Sequence, residues 1–599
     1  MKIKLAKYIA DFLAERGVEH VFTVTGGGAM HLNDAFGHHE RLHCVYNHHE
    51  QASAIAAESY ARLTGRVAAV CVTSGPGGTN ALTGVLGGWL DSVPMFVVSG
   101  QVKRETTIRS TSLPLRQLGD QEFDIVSCVR PMTKYAAMVW DPAEIAYQLE
   151  KAWYLCRNGR GGPVWLDVPL DVQAATIETE ALRRFDEREV RDAEVPHYDG
   201  ALSRPILDRI RQAKRPVLFV GSGVRLAGAQ EEFVQLAEAL RIPVVTAWNA
   251  HDLLWDDHPL YCGRPGTIGT RGGNFVVQNA DCLLVLGSRL NIRQISYNYK
   301  DFAPDAYKIV VDIDRNELYK PTLRVDLPVW ADLRDAIAGL RACGPESVQT
   351  PAHEAWLAWA RKTDARYPAV LPAYYDDPDG LNPYVFVREF SKGWREDETV
   401  VCGNGSACVV TFQAAVVKRY TRLYANSGCA AMGYGFPAAI GACVAQGGRR
   451  VVCIDGDGSF QMNLQELQTV VYNRLNIKII YLNNNGYHSI RQTQTNLFGS
   501  PLVGVCDGNG LSFPDAGRIA GAYGIPFMRV TTAAQIGPML RFMEQEGPVF
   551  CEVVVDPAQN FAPKLSSRVL PDGRIVSPPI DDMFPFLDRA EYEENRWKE

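Results

Sequence analysis

Short apolar runs recur along this chain, separated by amphipathic stretches of helix length and often followed by a glycine turn. Residues 67–73, 95–99 and 164–169 are such runs in the first third, 216–220, 282–287 and 308–313 in the middle, and 451–454, 477–482 and 549–555 in the last. Apolar residues on both faces of a short run are the pattern of a strand inside a parallel sheet, and the intervening helices supply the crossovers. The expected fold class is α/β, with three consecutive doubly wound parallel-sheet domains and a C-terminal tail. The expected boundaries are a first domain at 1–173, a charge-rich linker at 174–200, a central domain at 201–345, a second linker at 346–381, a third domain at 382–560 and a tail at 561–599. A length of 599 residues accommodates three such units at roughly 150 residues or more each.

The 61 Lys and Arg against 68 Asp and Glu leave a net charge of −7. That argues against a generally basic surface, and no nucleic-acid partner is expected. No apolar run approaches the roughly 18 residues a spanning helix needs, so no membrane partner is expected. The N-terminus reads as an amphipathic first helix, interrupted by Asp11, Glu15 and Arg16, and not as a signal peptide. The 14 cysteines form no C-x-x-C pair, and Cys71, Cys282, Cys453 and Cys551 sit inside strand-like runs. Small buried thiols fit a reducing compartment, and the expected localisation is cytoplasmic.

The densest chemical signal is Asp455-Gly456-Asp457-Gly458-Ser459, between the run at 451–454 and a helix-like stretch. Its glycines let backbone N–H groups approach a phosphate at a helix N-terminus, and its acid suits a hard cation. Asn483-Asn484-Asn485-Gly486 ends the next strand, with Asn484 lying 27 residues after Asp457. One helix and one strand fill that interval and return the chain to the same sheet edge. Asp457, the amide oxygen of Asn484 and the carbonyl of Gly486 make an oxygen set suited to Mg²⁺.

This strand–GDGS–helix–strand–NNNG pattern resembles the diphosphate-binding motif of thiamine diphosphate (ThDP) enzymes. The resemblance implies ThDP and Mg²⁺ as cofactors, with Gly456, Gly458 and Ser459 near the diphosphate. Such enzymes carry an early glutamate against N1′ of the aminopyrimidine, where it promotes loss of the C2 proton. His48-His49-Glu50-Gln51-Ala52 resembles that segment, which makes Glu50 the matching acid. His48 and His49 read as packing or polar-wall residues. Thr73-Ser74-Gly75-Pro76-Gly77-Gly78-Thr79-Asn80 resembles the family's turn beside the cofactor, which implicates Ser74 and Asn80, together with Gly27. Met432, followed by Gly433, matches the apolar wedge under the cofactor.

The order of the units resembles the acetohydroxyacid (acetolactate) synthase and pyruvate oxidase group over about residues 5–560. Gln121 matches a glutamine that lines the site near the intermediate. Two departures from the synthases stand out: Asp120 replaces a phenylalanine, and Thr493 replaces the tryptophan that selects the acceptor keto acid. A wider, more polar acceptor pocket is expected, with His488, Arg491 and Thr493 as its candidate residues. In the central domain Gly221, Gly223, Gly263, Arg289, Arg293, Asp312 and Asp332 match flavin-site segments in order, although the family's G-x-H-G reads Gly263-Arg264-Pro265-Gly266. The resemblance implies FAD or another ADP-containing ligand there, which in this group is often structural. The resemblance implies a decarboxylase and carboligase that takes a 2-keto acid, pyruvate foremost, and transfers a two-carbon unit to a carbonyl acceptor. That acceptor is a 2-keto acid, a keto-sugar nucleotide or another ketone. A homodimer or dimer of dimers with interfacial active sites is also implied, as is closure of residues 563–584 over the site. The alternatives are a pyruvate oxidase, a non-ligating decarboxylase, or a non-catalytic ThDP- or ADP-binding regulatory protein.

Overall fold

The apolar runs become strands, and the strands gather into three separate parallel sheets. The computed structural model describes residues 1–193, 195–377, 380–569 and 572–597. Residue 194 of the first expected linker, 378–379 of the second, and 570–571 and 598–599 of the tail lie outside the described residues. The first sheet runs in spatial order His43–Tyr46, His20–Thr23, Ala68–Val72, Met95–Gln101, Val164–Pro169, Tyr135–Met138. The third runs Arg422–Tyr424, Thr399–Cys402, Val451–Gly456, Ile477–Asn483, Val549–Val554, Phe527–Val530. Counted in chain order, both are 2-1-3-4-6-5, so the outer domains share one topology. The middle sheet runs Val244–Thr246, Pro216–Val220, Cys282–Leu286, Tyr307–Asp312, Leu327–Trp330, the doubly wound order 2-1-3-4-5.

Each order reverses beside its first strand, and ligands of open parallel sheets bind at such a switch point, outside the strand C-termini. All three domains put glycine turns there. In the first, residues 26–28 meet residues 73–75; in the middle, 221–223 meet 287–288; in the third, 403–405 neighbour the turn at 456–458.

The outer domains pack through equivalent helices, Glu50–Thr64 and Gly435–Ala445, each following the second strand of its sheet. Their crossing is made of small residues: a Cβ on Gly441 would lie 1.9 Å from the Ala56 carbonyl oxygen. Ser59 Oγ donates to the Ala438 carbonyl at 2.6 Å, and the Tyr434 hydroxyl donates to Glu58 at 2.8 Å. One apolar core therefore spans both outer sheets, from Phe22 and Ile55 to Ile440 and Phe460.

The connecting segments are more ordered than their composition implies. Thr176–Glu178, in the first expected linker, pairs antiparallel with Lys2–Lys4. The second contains the 16-residue helix Pro351–Arg366. Thr350 caps that helix and Pro351 suits its first turn, while Trp356 and Ala360 bury themselves in the central core. The tail docks on the central domain. Leu565 N–H donates to the Thr267 carbonyl, Asn274 to that of Ile580, and Asn279 to that of Asn595. Among the described residues, no helix is long and apolar enough to cross a membrane.

Candidate functional site

The third domain builds a turn of oxygens at its switch point. Strand Val451–Gly456 delivers Asp457 to the first turn of a short helix, where it is 2% exposed. Its Oδ1 accepts the Gly458 N–H at 2.7 Å and its Oδ2 the Gly486 N–H at 2.9 Å. Burial pushes its pKa up to about 6 despite those hydrogen bonds. Asn484, at the end of the neighbouring strand, donates from Nδ2 to Ser406 Oγ at 3.0 Å. Its Oδ1 is buried with no hydrogen-bond partner. A buried amide oxygen without a partner costs roughly 1–3 kcal/mol, a cost a bound cation removes. An acid, an open amide oxygen and the nearby Gly486 carbonyl fit a hard divalent ion.

The glycines around this turn divide by function. A Cβ on Gly456 would meet nothing within 4 Å, whereas one on Gly458 would strike the Tyr487 ring at 2.1 Å. Ser459 Oγ accepts the Gly433 N–H at 2.9 Å, and Asn463 Nδ2 donates to the Gly433 carbonyl at 2.7 Å. Gly433 takes φ +83°, which favours glycine. Asn404 donates to the Ala431 carbonyl at 2.7 Å. Met432 is thus held from both sides, beside Gly458.

The first domain contributes a second cluster. His49 caps the helix that Glu50 begins, its ring accepting the Gln51 N–H. Glu50 is largely buried, and its Oε2 accepts from Asn80 Nδ2 at 2.9 Å. Ser74 packs against Gly28, and Gly27 stands in open space. Gln121, at φ +60°, lays its carbonyl where a Cβ of Gly75 would be, 2.4 Å away. Third-domain side chains grip the approach to Glu50. Glu466 accepts from Asn47 Nδ2 and the His48 N–H, both at 2.9 Å, and Asn463 Nδ2 donates to Gln51 at 3.0 Å. Nothing in local sequence pattern singled out Glu466, Asn463, Ser406 or Tyr487.

A cavity of about 520 Å³ opens at the central switch point, lined by Gly221, Gly223, Arg289, Arg293, Asp312 and Asp332. First- and third-domain residues, among them Arg62, Arg160 and Arg422, complete it. Its walls are rich in arginine, as an anionic ligand requires. Burial raises the Asp312 carboxyl to about 6. Gly263 lies apart from this lining. It takes φ +107°, and a Cβ there would come within 2.7 Å of Asp364 and Gly273. Arg264, next to it, is buried against Asp256 at 2.6 Å and donates to the Phe412 and Ala415 carbonyls. The Gly-Arg-Pro-Gly stretch therefore joins the central and third domains.

The three candidate acceptor residues do not converge. Thr493 is exposed and donates back to the Ser489 carbonyl at 2.9 Å. His488 is buried against Phe561, with neither ring nitrogen hydrogen-bonded, and burial lowers its pKa to about 4. Arg491 bonds to backbone carbonyls of the Asn484–Asn485 turn.

Three family models match in order: the thiamine pyrophosphate enzyme N-terminal TPP binding domain over residues 3–127, the central domain over 204–340, and the C-terminal TPP binding domain over 403–553. The acetolactate synthase large subunit of Cyanidium caldarium is 32% identical over 93% of this chain and 94% of its own length. That of Corynebacterium glutamicum is 33% identical, covering 94% of this chain and 88% of its own length. The isozyme 1 large subunit of Escherichia coli K12 is 30% identical, covering 93% and 95%.

Proposed function

Since the chain belongs to the ThDP-dependent enzymes, within their acetolactate synthase-like family, we propose that it decarboxylates pyruvate and transfers the remaining two-carbon unit to a carbonyl acceptor. The observation that carries this reading is the pairing of Asp457 with the partnerless Oδ1 of Asn484, one strand apart at the switch point. Asp457, Asn484 and the Gly486 carbonyl would hold Mg²⁺, and the open turn at Gly456 would admit the diphosphate. Bound ThDP supplies the electron sink for loss of CO₂ from a 2-keto acid.

The chain's residues do the remaining tasks. Asn80 binds one oxygen of Glu50, which leaves Oε1 to hold a proton against N1′ of the pyrimidine. Met432, fixed through Gly433 and Ala431, would form the apolar wall under the cofactor. Gln121 and Ser74 would line the first-domain side. FAD, or another ADP-containing anion, suits the arginine-rich central cavity in a structural role. A dimeric or tetrameric assembly is supported by exposed apolar side chains in two segments, Leu113, Leu118 and Phe123 in one and Leu497, Phe498 and Val503 in the other.

Incubation with pyruvate, ThDP and Mg²⁺, with products read by mass spectrometry, tests the proposal. Acetolactate from pyruvate alone, or a branched hydroxyketone once a second ketone is supplied, is the expected result. Acetyl phosphate or acetate formed only with O₂ would replace ligation with the oxidase reading. Acetaldehyde as sole product with every acceptor would replace it with simple decarboxylation.

A further inference from the structure

We propose that Arg491 is a positioning residue for the cation-binding turn and does not bind the acceptor. This rests on the reading of Asp457, Asn484 and Gly486 as the cation site. The turn is held in a conformation the chain does not adopt freely: Asn485 takes φ +51° and Gly486 φ +142°, two positive values in succession. Such backbone is kept only where its surroundings enforce it. A Cβ on Gly486 would lie 2.3 Å from the Val505 carbonyl oxygen and 3.0 Å from the Arg491 guanidinium. The turn is therefore pressed from both sides.

Arg491 sits on the helix His488–Leu497 directly after the turn. Its NH2 donates to the Asn485 carbonyl at 2.6 Å, and its NH1 to those of Asn484 at 3.1 Å and Pro557 at 3.2 Å. These acceptors follow two adjacent strands, Ile477–Asn483 and Val549–Val554. One planar fork thus closes the gap between two strand ends, a geometry a lysine ammonium does not reproduce. Drawing the Asn484 and Asn485 carbonyls toward the guanidinium leaves the Gly486 carbonyl and Asn484 Oδ1 as the oxygens available to a cation. Three of the five guanidinium N–H groups are thus directed at backbone carbonyls of the two strand ends.

The test is titration of Mg²⁺ into the full-length protein at saturating ThDP, followed by isothermal calorimetry, for wild type, Arg491→Lys and Arg491→Met. A partner that orients metal ligands typically contributes about 10- to 100-fold in metal affinity. Arg491→Met is expected to lose that much Mg²⁺ affinity, and Arg491→Lys a smaller part. At saturating Mg²⁺ the KM for the second carbonyl substrate should stay at the wild-type value in both. Unchanged Mg²⁺ affinity with a raised acceptor KM would overturn the proposal and return Arg491 to the acceptor pocket. Asp457→Asn is the control: wild-type Mg²⁺ binding in that variant would reject the cation site itself, not only the part played by Arg491. If Arg491→Met does not fold, Arg491→Lys decides, judged on Mg²⁺ affinity at an unchanged melting temperature.

Discussion

The Asn484 amide is tied at one end and open at the other: Nδ2 is held by Ser406 while Oδ1 has no partner. The identity of this residue was legible from the strand-then-NNNG spacing, but its orientation was not, because Ser406 lies 78 residues away. Asp167 is a second buried polar residue with a measurable consequence. It is fully buried, accepting from Ser99 Oγ at 2.5 Å and from Gln101 Nε2 at 3.1 Å, and burial pushes its pKa up to about 7. An unfolded aspartate titrates near 3.9, so the folded chain binds the extra proton between about pH 4 and pH 7. The stability Asp167 contributes is therefore present at low pH and is lost as pH rises through about 7. Urea unfolding of wild type and Asp167→Asn should show the variant gaining on wild type between about pH 4 and pH 7, with no further change above that. A difference independent of pH would contradict this assignment.

At the level of elements, the crossing of Glu50–Thr64 over Gly435–Ala445 joins the two outer domains, and Gly441 sets how closely the helices approach. Gly441→Val must displace the Ala56 backbone, and overpacking of this kind typically costs about 1–3 kcal/mol. Gly521→Ala is the contrast, since a Cβ there meets nothing within 4 Å in its helix. Thermal unfolding should show a lower melting temperature for Gly441→Val and an unchanged or higher one for Gly521→Ala. Equal melting temperatures would remove the crossing from the account. The strands were readable because burial on both faces leaves an uninterrupted apolar run. The helix Pro351–Arg366 was hidden by a charged, proline-rich context that reads as linker, although only Trp356, Ala360 and a few others need face the core. The resemblance suggests Arg491 as an acceptor-pocket candidate, with a plain surface position as the alternative. Its actual partners are backbone carbonyls, which leave no mark on sequence.

Across the whole molecule, the two outer domains repeat one strand order without a visible sequence repeat, because each fills the same topology with different side chains. Between them the central domain presents an arginine-rich cavity whose wall includes Asp91 and Asn249. Asn249 bonds to both the N–H and the carbonyl of Ala425, and Asp91 accepts the Gly428 N–H. The stretch leading to Met432 is thus anchored at the cavity wall. FAD or ADP added to the protein should raise its melting temperature and slow amide exchange across residues 425–433. No effect of either ligand would contradict a nucleotide-binding role for the cavity. The central claim is that Glu50 and the Asp457 turn serve one cofactor in one decarboxylation. The most direct measurement is anaerobic CO₂ release from pyruvate with saturating ThDP and Mg²⁺, for wild type against Glu50→Gln. The account predicts release by wild type and a loss of at least about 100-fold in the variant, as removal of an acid–base group typically gives. Equal release by the two proteins would contradict it.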